Sequence, residues 1–328
     1  MTFTRICITA PERLSKALNA LIDKCRGAGL DVVKGLDASC DVLAIVGTDR
    51  DVLHALQSIE RPPLILTIAP PGYTGFLTHV SWDSALEALT RVSSGGYEVR
   101  ELARVEAIVD GERIVRALNE IAVFPQRSAI TMEYTLRIDG EPLWRDIADG
   151  VIVSTPLGST AYALSAGGPI VLLNAEVFVI VPVNSVEPSR RPVVVAQRST
   201  IALEDLASRY PIEAVADGVA RIRVEERIEF RCGDRIRFIE VEGGATSLAK
   251  KKLGTYKELQ SLPPSAKFVY KMLEIEGPMT VKDLALKTLL PERTVRYALN
   301  ILMDRGLVEK VVDPRDPRRH IYRIKGMP

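Results

Sequence analysis

The sequence predicts an α/β domain running into an all-β domain, followed by a small helical module that ends in a β-hairpin. Three observations predict it. Strand-like apolar runs alternate with helical periodicity up to residue 98. From there, short Val-, Ile-, Thr- and Tyr-rich segments recur between Gly, Pro and Asp. Beyond residue 263 helical spacing returns, with an excess of positive charge. A chain of 328 residues is long enough for two or three domains with cores of their own.

The elements follow in order. Arg5–Thr9 reads as a short strand. Pro11–Cys25 reads as a helix, with Leu14, Leu18, Leu21 and Ile22 on one face and Gly27 and Gly29 at its end. Val42–Val46 is a continuous apolar run, the pattern of a strand covered on both faces. A short helix over 52–58 and a strand over Leu64–Ile68 come next. The β-rich region contributes Arg104–Val109, Ala129–Ile138, Gly150–Ser154, Val177–Val183, Arg221–Phe230 and Arg235–Glu240. A lysine-rich stretch, Lys250–Lys252, follows, and Leu262–Pro264 reads as a linker. The expected domains are therefore 1–98 (completed by 236–260), 99–235 and 263–328.

The net charge is only +1, with 47% hydrophobic and 26% charged residues, an ordinary globular composition. The average hides an asymmetry: residues 263–328 carry 13 Lys and Arg against 8 Asp and Glu, the rest 30 against 34. A basic tail on a mildly acidic body suggests an appendage for a polyanion. Cys7, Cys25, Cys40 and Cys232 form no close pair, so a metal knuckle or redox CxxC is not expected, and Cys7 and Cys40 read as buried reduced thiols. No metal site is predicted. The N-terminus lacks a cleavable signal pattern, and no apolar run approaches the roughly 18–20 residues of a membrane span. A cytoplasmic protein without membrane contact is expected.

The strongest motif is Asp149-Gly150-Val151-Ile152-Val153-Ser154-Thr155-Pro156-Leu157-Gly158-Ser159-Thr160-Ala161-Tyr162-Ala163-Leu164-Ser165-Ala166-Gly167-Gly168-Pro169. A strand enters a loop of small hydroxylated residues and glycines, which can offer backbone N–H groups and hydroxyls to a polar ligand. Tyr162 supplies a face for a base to stack on, and Gly167 and Gly168 permit close approach or positive φ. Composition alone is equally compatible with a glycine-rich turn between strands. The run resembles the signature of the NAD kinase family. Ala117-Leu118-Asn119-Glu120 is similar to that family's "NE" motif, and Gly75-Phe76-Leu77-Thr78 to its GFL turn. Arg191-Pro192 and Asp217-Gly218 also match family positions, so the resemblance covers residues 1–260.

The resemblance implies an NAD kinase-like fold with a Rossmann-like first domain, and NAD or NADP as ligand. It puts Asn119 on the adenine edge, Glu120 on a ribose hydroxyl, and Thr160, Ala161 and Tyr162 in the adenine pocket. Asp149 falls at the nicotinamide end, across a subunit contact in a homo-oligomer (dimer or tetramer); Phe76 and Ser165 complete the NAD-binding set. It further implies ATP and Mg2+ as co-reactants.

One family element is altered. The family's GGDG loop, whose glycines expose backbone N–H groups to the ATP phosphates and whose Asp takes the 2′-hydroxyl proton, corresponds to Gly47-Thr48-Asp49-Arg50-Asp51. Gly47 and Asp49, the catalytic candidate, remain; Thr48 and Arg50 put side chains where the family has bare backbone. Leu157 also replaces a residue that is often polar. Two outcomes stay open. Either Arg50 takes over as a phosphate ligand and catalysis survives, or ATP no longer binds productively and a dinucleotide-sensing, inactive protein remains. A structural oligomer with neither activity is a third reading.

The tail is read from its residues. Thr280-Val281-Lys282-Asp283 has the pattern of a capping box, continued by Leu284, Ala285 and Thr288. Pro291 suits the start of the next helix, where Val295, Leu299 and Leu302 form an apolar stripe and Arg293, Arg296, Tyr297 and Asn300 share the other face. Gly306 closes it. Leu307–Val312 and Ile321–Ile324 form a hairpin whose tip carries Arg315, Arg318 and Arg319. This order resembles a winged helix-turn-helix, which implies double-stranded DNA as a partner. A helical domain with a solvated charged face used for dimer contacts is the alternative.

Overall fold

The structure is a computed structural model that describes residues 5–35, 37, 39–73, 75–241, 262–313 and 316–324. The described residues fall into two compact units, one drawn from Met1–Asp49, Leu66–Tyr97 and Val241–Pro328, the other from Arg50–Ile65 and Glu98–Glu240.

The first unit begins with strands β1 (Ile6–Thr9), β2 (Val32–Lys34), β3 (Val42–Val46) and β4 (Leu64–Ile68), in sheet order β2-β1-β3-β4. β1 pairs in parallel with both β2 and β3. Every residue of β3 and β4 is buried, which accounts for their unbroken apolar runs. Helix α1 (Ser15–Gly27) follows a 3-10 turn at Glu12–Leu14 and buries Leu18, Leu21, Ile22 and Cys25. Helix α2 spans Asp49–Gln57, of which Arg50–Gln57 belong to the second unit; helix α3 spans Ala85–Ser93. The sequence did not point to α3, because two of its four buried residues, Ala85, Ala88, Leu89 and Val92, are alanines and make a faint apolar stripe. α2 begins at Asp49, three residues before the expected start. Replacing loop glycines by Thr and Arg favours helix, and Asp49 and Asp51 suit the positive end of a helix.

Cys7 and Cys40 are not free thiols. They form a disulfide with Cα atoms 5.7 Å apart, closing a loop of sequence separation 33. The parallel register brings this about: Cys7 pairs with Leu43, and Cys40 lies just before β3. Distance along the chain hid a proximity that the sheet creates. Cys25 is a buried free thiol and Cys232 an exposed one.

The second unit holds β5 (Glu98–Val109), β6 (Arg113–Ala117), β7 (Glu120–Pro125), β8 (Met132–Ile138), β9 (Glu141–Ala148), β10 (Gly150–Ser154), β11 (Val177–Val183), β12 (Val193–Ala196), β13 (Ile201–Ser208), β14 (Ile212–Ala216), β15 (Ala220–Val224) and β16 (Ile228–Glu240). One layer runs β16-β13-β8-β9, with β5 on β16 and β6 on β5; the other runs β12-β11-β10-β7-β14-β15. Val105, Tyr134, Leu136, Val151, Val153, Phe178, Leu203 and Phe230 are among the wholly buried side chains of the core shared by these layers. The expected Arg221–Phe230 strand is two strands, β15 and the start of β16, separated at 225–227, where Asp110 accepts main-chain N–H groups of Glu225, Glu226 and Arg227. The expected Arg235–Glu240 strand is the second half of β16, beyond a register shift between Cys232 and Arg235.

β10 is covered twice. Val151 and Val153 face the main core, and Ile152 joins Ala122, Ala163, Val179 and Val181 on the opposite face. Ala163 lies in the single-turn helix α4 (Tyr162–Ser165), so the glycine-rich motif itself roofs the strand that leads into it. Full burial of a side chain like Ile152 stabilises by roughly 1.5–3 kcal/mol.

The C-terminal residues form α5 (Pro264–Glu276), α6 (Val281–Thr288), α7 (Glu292–Asp304) and the hairpin β17 (Val308–Asp313) and β18 (Asp316–Ile324). Thr280 and Asp283 make the expected capping box. Leu262 belongs to the buried cluster that includes Ala266, Val269 and Leu299, and Pro264 opens α5, so the expected Leu262–Pro264 linker starts the module itself. Lys250–Lys252 lie outside the described residues. No described helix is long and apolar enough to cross a membrane.

Candidate functional site

The candidate dinucleotide residues gather at the ends of β7 and β10, and the main chain there is held from both sides. Asn119 immediately precedes β7. Its N–H donates to Asp217 Oδ1 (2.7 Å) and the Leu118 N–H to Asp217 Oδ2 (2.9 Å). On the carbonyl side, the Thr155 hydroxyl donates to Leu118 O (2.7 Å) and the Thr155 N–H to Asn119 O (2.9 Å). A Cβ on Gly158 would stand 2.1 Å from Asn119 O, so only glycine lets the motif pack this closely. The Asn119 side-chain amide bonds none of the described residues, leaving two donors and an acceptor for a ligand. Glu120 beside it is buried.

Tyr162 is 45% exposed and lies against Phe124, ring centroids 6.0 Å apart and planes 21° from parallel. Its hydroxyl is pushed up first by partial burial and then by the charges of Glu120 and Asp149. The Tyr162 hydroxyl thus feels both Glu120, which pairs with Ser154 at the end of β10, and Asp149, which precedes its start. Asp149 is fixed at the mouth of β10: its N–H donates to Val183 O (2.9 Å), and its Oδ2 accepts from Asn184 Nδ2 (2.8 Å). Gly150 permits the close contact behind it, since a Cβ there would meet the Phe124 ring at 2.4 Å. Thr160 and Ala161 form the turn ahead of Tyr162, and Ser165 is exposed at the end of α4.

The motif's hydroxyls correct one expectation. Most are not offered to a ligand. Thr155 holds Leu118, Ser159 donates to Pro156 O (2.7 Å) and accepts from the Val171 N–H (3.0 Å), and Ser154, Thr155 and Ser159 are buried. A loop that must close over β10 leaves its own carbonyls unpaired, and these small hydroxyls satisfy them. The motif is mainly a scaffold that presents Tyr162 and braces Asn119.

The residues of the altered phosphate loop belong to a different setting. Asp49 accepts the Phe76 N–H at 2.7 Å and the Leu77 N–H at 2.9 Å, one on each carboxylate oxygen, while its own N–H donates to the Tyr73 hydroxyl at 3.3 Å. A Cβ on Gly75 would fall 2.0 Å from Asp49 Oδ1. The Gly75-Phe76-Leu77 turn thus fixes the Asp49 rotamer through main-chain donors. Gly47 is buried, Thr48 half-buried, and Arg50 exposed in the first turn of α2.

Arg293, Arg296, Tyr297 and Asn300 are all exposed on α7, opposite the buried Val295, Ala298, Leu299 and Leu302. Arg296 bonds Glu292 one turn earlier at 3.3 Å. Arg315 and the side chains of Arg318 and Arg319 lie outside the described residues.

Sequence reasoning gave no role to Asp217, Gln57, Phe124, Thr155 or Asn184. The Asp217-Gly218 pair was visible only as a match to family positions. Nothing in the sequence ties it to Leu118, about a hundred positions away.

Comparison with known proteins identifies this framework. Residues 118–241 match the ATP-NAD kinase C-terminal domain. The chain is 34% identical over 212 residues to an NAD kinase of Corynebacterium diphtheriae, covering 62% of this chain and 67% of that one. It is also 34% identical over 244 residues to an NAD kinase of a Shewanella species, covering 72% and 77%. Among solved structures, an NAD kinase from Archaeoglobus fulgidus in complex with ATP superposes with a TM-score of 0.63 at 27% identity, over 79% of this chain and all of the other. Yeast NADH kinase complexed with NADH shares the fold, with a TM-score of 0.69 at 19% identity over 80% and 90%. The chain belongs to the NAD kinase family.

Proposed function

We propose that this protein binds NAD(P) and phosphorylates NAD at the adenosine ribose 2′-hydroxyl, with ATP as donor, and that its C-terminal module binds double-stranded DNA. The observation that carries the first part is the bracing of the Leu118–Asn119 main chain between Asp217 and Thr155, with the Asn119 side-chain amide bonded to none of the described residues. The Asn119 amide reads the adenine edge, Tyr162 stacks on the base, Glu120 accepts a ribose hydroxyl and Asp149 takes the nicotinamide end; Thr160, Ala161, Ser165 and Phe76 complete the contacts. Asp49 is the base for the 2′-hydroxyl proton, its rotamer set by the Phe76 and Leu77 N–H groups. Gly47, Thr48 and Arg50 receive the phosphates; Mg2+ would be held chiefly by the ATP phosphates, the ordinary mode for this ion.

The test is formation of NADP from NAD and ATP-Mg by the purified chain beside Asp49→Asn. Turnover that falls by about 10²–10⁴ in the variant supports the kinase. No turnover, with NADP still bound, overturns it in favour of an inactive dinucleotide sensor. One observation favours that second reading: α2 starts at Asp49, so the Arg50 and Asp51 side chains occupy the turn that would cradle phosphates.

For the module, the exposed Arg293, Arg296, Tyr297 and Asn300 set on a helix backed by a β-hairpin supports a winged-helix reading. Removing one phosphate-contacting arginine, as in Arg293→Ala, should lower the slope of log affinity against log salt for duplex DNA by about 1. Salt-independent behaviour, or no DNA binding, refutes it. We also assign a homo-oligomer, a cytoplasmic location and the domain division 1–98, 99–235 and 263–328; sedimentation and limited proteolysis test the first and last.

A further inference from the structure

We propose that Asp217 and Gln57 are positioning residues for the dinucleotide: the buried carboxylate, oriented by the glutamine amide, holds the Leu118–Asn119 main chain where the Asn119 and Glu120 side chains meet the ligand. This rests on the dinucleotide-binding reading above and names residues that act through others.

Asp217 and Gly218 form the turn between β14 and β15, with φ of 52° and 68°. Two positive φ values define the tight hairpin turn in which Asp-Gly and Asn-Gly are both favoured. The turn alone therefore explains neither the choice of Asp over Asn nor where the side chain goes. Hairpin tips ordinarily point their polar groups to water; Asp217 is only 8% exposed. Its Oδ1 accepts the Asn119 N–H, its Oδ2 accepts the Leu118 N–H and Gln57 Nε2 (3.2 Å), and its own N–H donates to Glu120 O (3.0 Å).

A carboxylate fits this place for a chemical reason. Two adjacent main-chain N–H groups face its two oxygens, and only an ionised carboxylate offers acceptors on both. An asparagine would turn its NH2 toward one of them and leave a buried donor unsatisfied. No cation is bonded to Asp217 among the described residues. The charged residues bonded into the cluster, Arg116 and Glu120, join it through main-chain carbonyls, and the Arg116 guanidinium is bonded to Glu106 at 2.7 Å. Gln57 Nε2 bridges Arg116 O (2.7 Å) and Asp217 Oδ2, so its two donors orient the carboxylate without neutralising it. Burial consequently pushes the Asp217 carboxyl up to about 6, against the pull of its N–H partners.

The test is calorimetric titration of NADP into the full chain between pH 5 and 8, for wild type, Asp217→Asn, Gln57→Leu and Gln57→Lys, with melting curves of each ligand-free protein. Asp217→Asn keeps the turn chemistry and should weaken NADP about tenfold or more. Gln57→Leu should weaken it several-fold and move the acid limb of the affinity profile to higher pH. Gln57→Lys, which restores a donor and adds a cation, should recover the affinity and move that limb to lower pH. In turnover, Gln57→Leu should raise KM for NAD and leave kcat within about twofold. If Asp217→Asn does not fold, the two Gln57 variants decide. NADP affinity equal to wild type across the pH range in Gln57→Leu, or an acid limb that moves in neither Gln57 variant, overturns the proposal. A wild-type chain that binds neither NAD nor NADP overturns the functional reading, and this inference with it.

Discussion

Two short acidic motifs use main-chain N–H groups in opposite ways. At Asp217 the carboxylate is buried and serves the backbone of its neighbours, so that Asn119 keeps its amide for a ligand. At Asp49 the candidate catalytic carboxylate is itself the group being held, with one oxygen on Phe76 N–H and the other on Leu77 N–H. In the proposed reading the first is a brace behind a recognition surface and the second a reactive group pinned by its support. A substitution that loosens a brace should lower affinity, and one that loosens a pin should lower turnover.

Matched glycine substitutions should separate the two regions with the largest effects. Gly158→Ala drives a methyl into the Asn119 carbonyl, which is backbone and cannot turn aside. We expect NAD(P) binding to be lost and stability to fall by about 4 kcal/mol or more, the range reached by severe core clashes. Gly75→Ala meets side-chain atoms, of Asp49 and of Thr78, rather than backbone. It should keep NAD(P) affinity within a few-fold and lose most turnover. Equal loss of affinity in both variants would erase the distinction.

Next in size is the Cys7–Cys40 disulfide, which lies in the unit that holds Asp49. Closing a loop of this length stabilises by roughly 4 kcal/mol in the chain-entropy account. Reduction should lower the melting temperature while NADP affinity at 25 °C stays within twofold. An affinity that collapses on reduction would contradict the idea that the dinucleotide residues are braced independently.

Tyr162→Ala removes one face of the proposed base-binding surface. Stacking of a base on an aromatic ring contributes about 1–3 kcal/mol, so affinity should fall roughly 5- to 150-fold with the fold intact. Calorimetry beside circular dichroism checks it; unchanged affinity would remove Tyr162 from the site.

The smallest effect expected is that of pH. With its carboxyl pushed up to about 6, Asp217 is ionised at pH 7.5 and protonated at pH 5. Protonation turns one acceptor into a donor facing an N–H group, so NADP affinity should be flat above pH 7 and fall through pH 6. Folding moves the other way. A carboxyl raised in the folded state contributes its full stability below its ordinary value near 3.8 and loses it as pH rises through 6. Acid between pH 6 and 4 should therefore weaken binding without Asp217 lowering the melting temperature. Wild type and Asp217→Asn compared at pH 5 and 7.5 test both signs.

Much of the fold was legible because burial writes itself into the strands. Val42–Val46, Leu64–Ile68, Gly150–Ser154 and Val177–Val183 are strands with the bounds the apolar runs suggest. The Thr280 capping box was legible for the same local reason. What stayed hidden depends on distance along the chain. The Cys7–Cys40 bond needs the β1–β3 register, and the Asp217 brace needs β14 beside β7. The work done by Thr155 and Ser159 stayed hidden because a hydroxyl looks the same in sequence whether it faces a ligand or closes its own loop.

The most direct measurement is calorimetric titration of NAD into wild type, Asn119→Ala and Asp49→Asn. Saturable binding by wild type, weakened at least tenfold in Asn119→Ala and within a few-fold of wild type in Asp49→Asn, is the predicted result. Binding that Asp49→Asn abolishes and Asn119→Ala leaves intact would contradict the account.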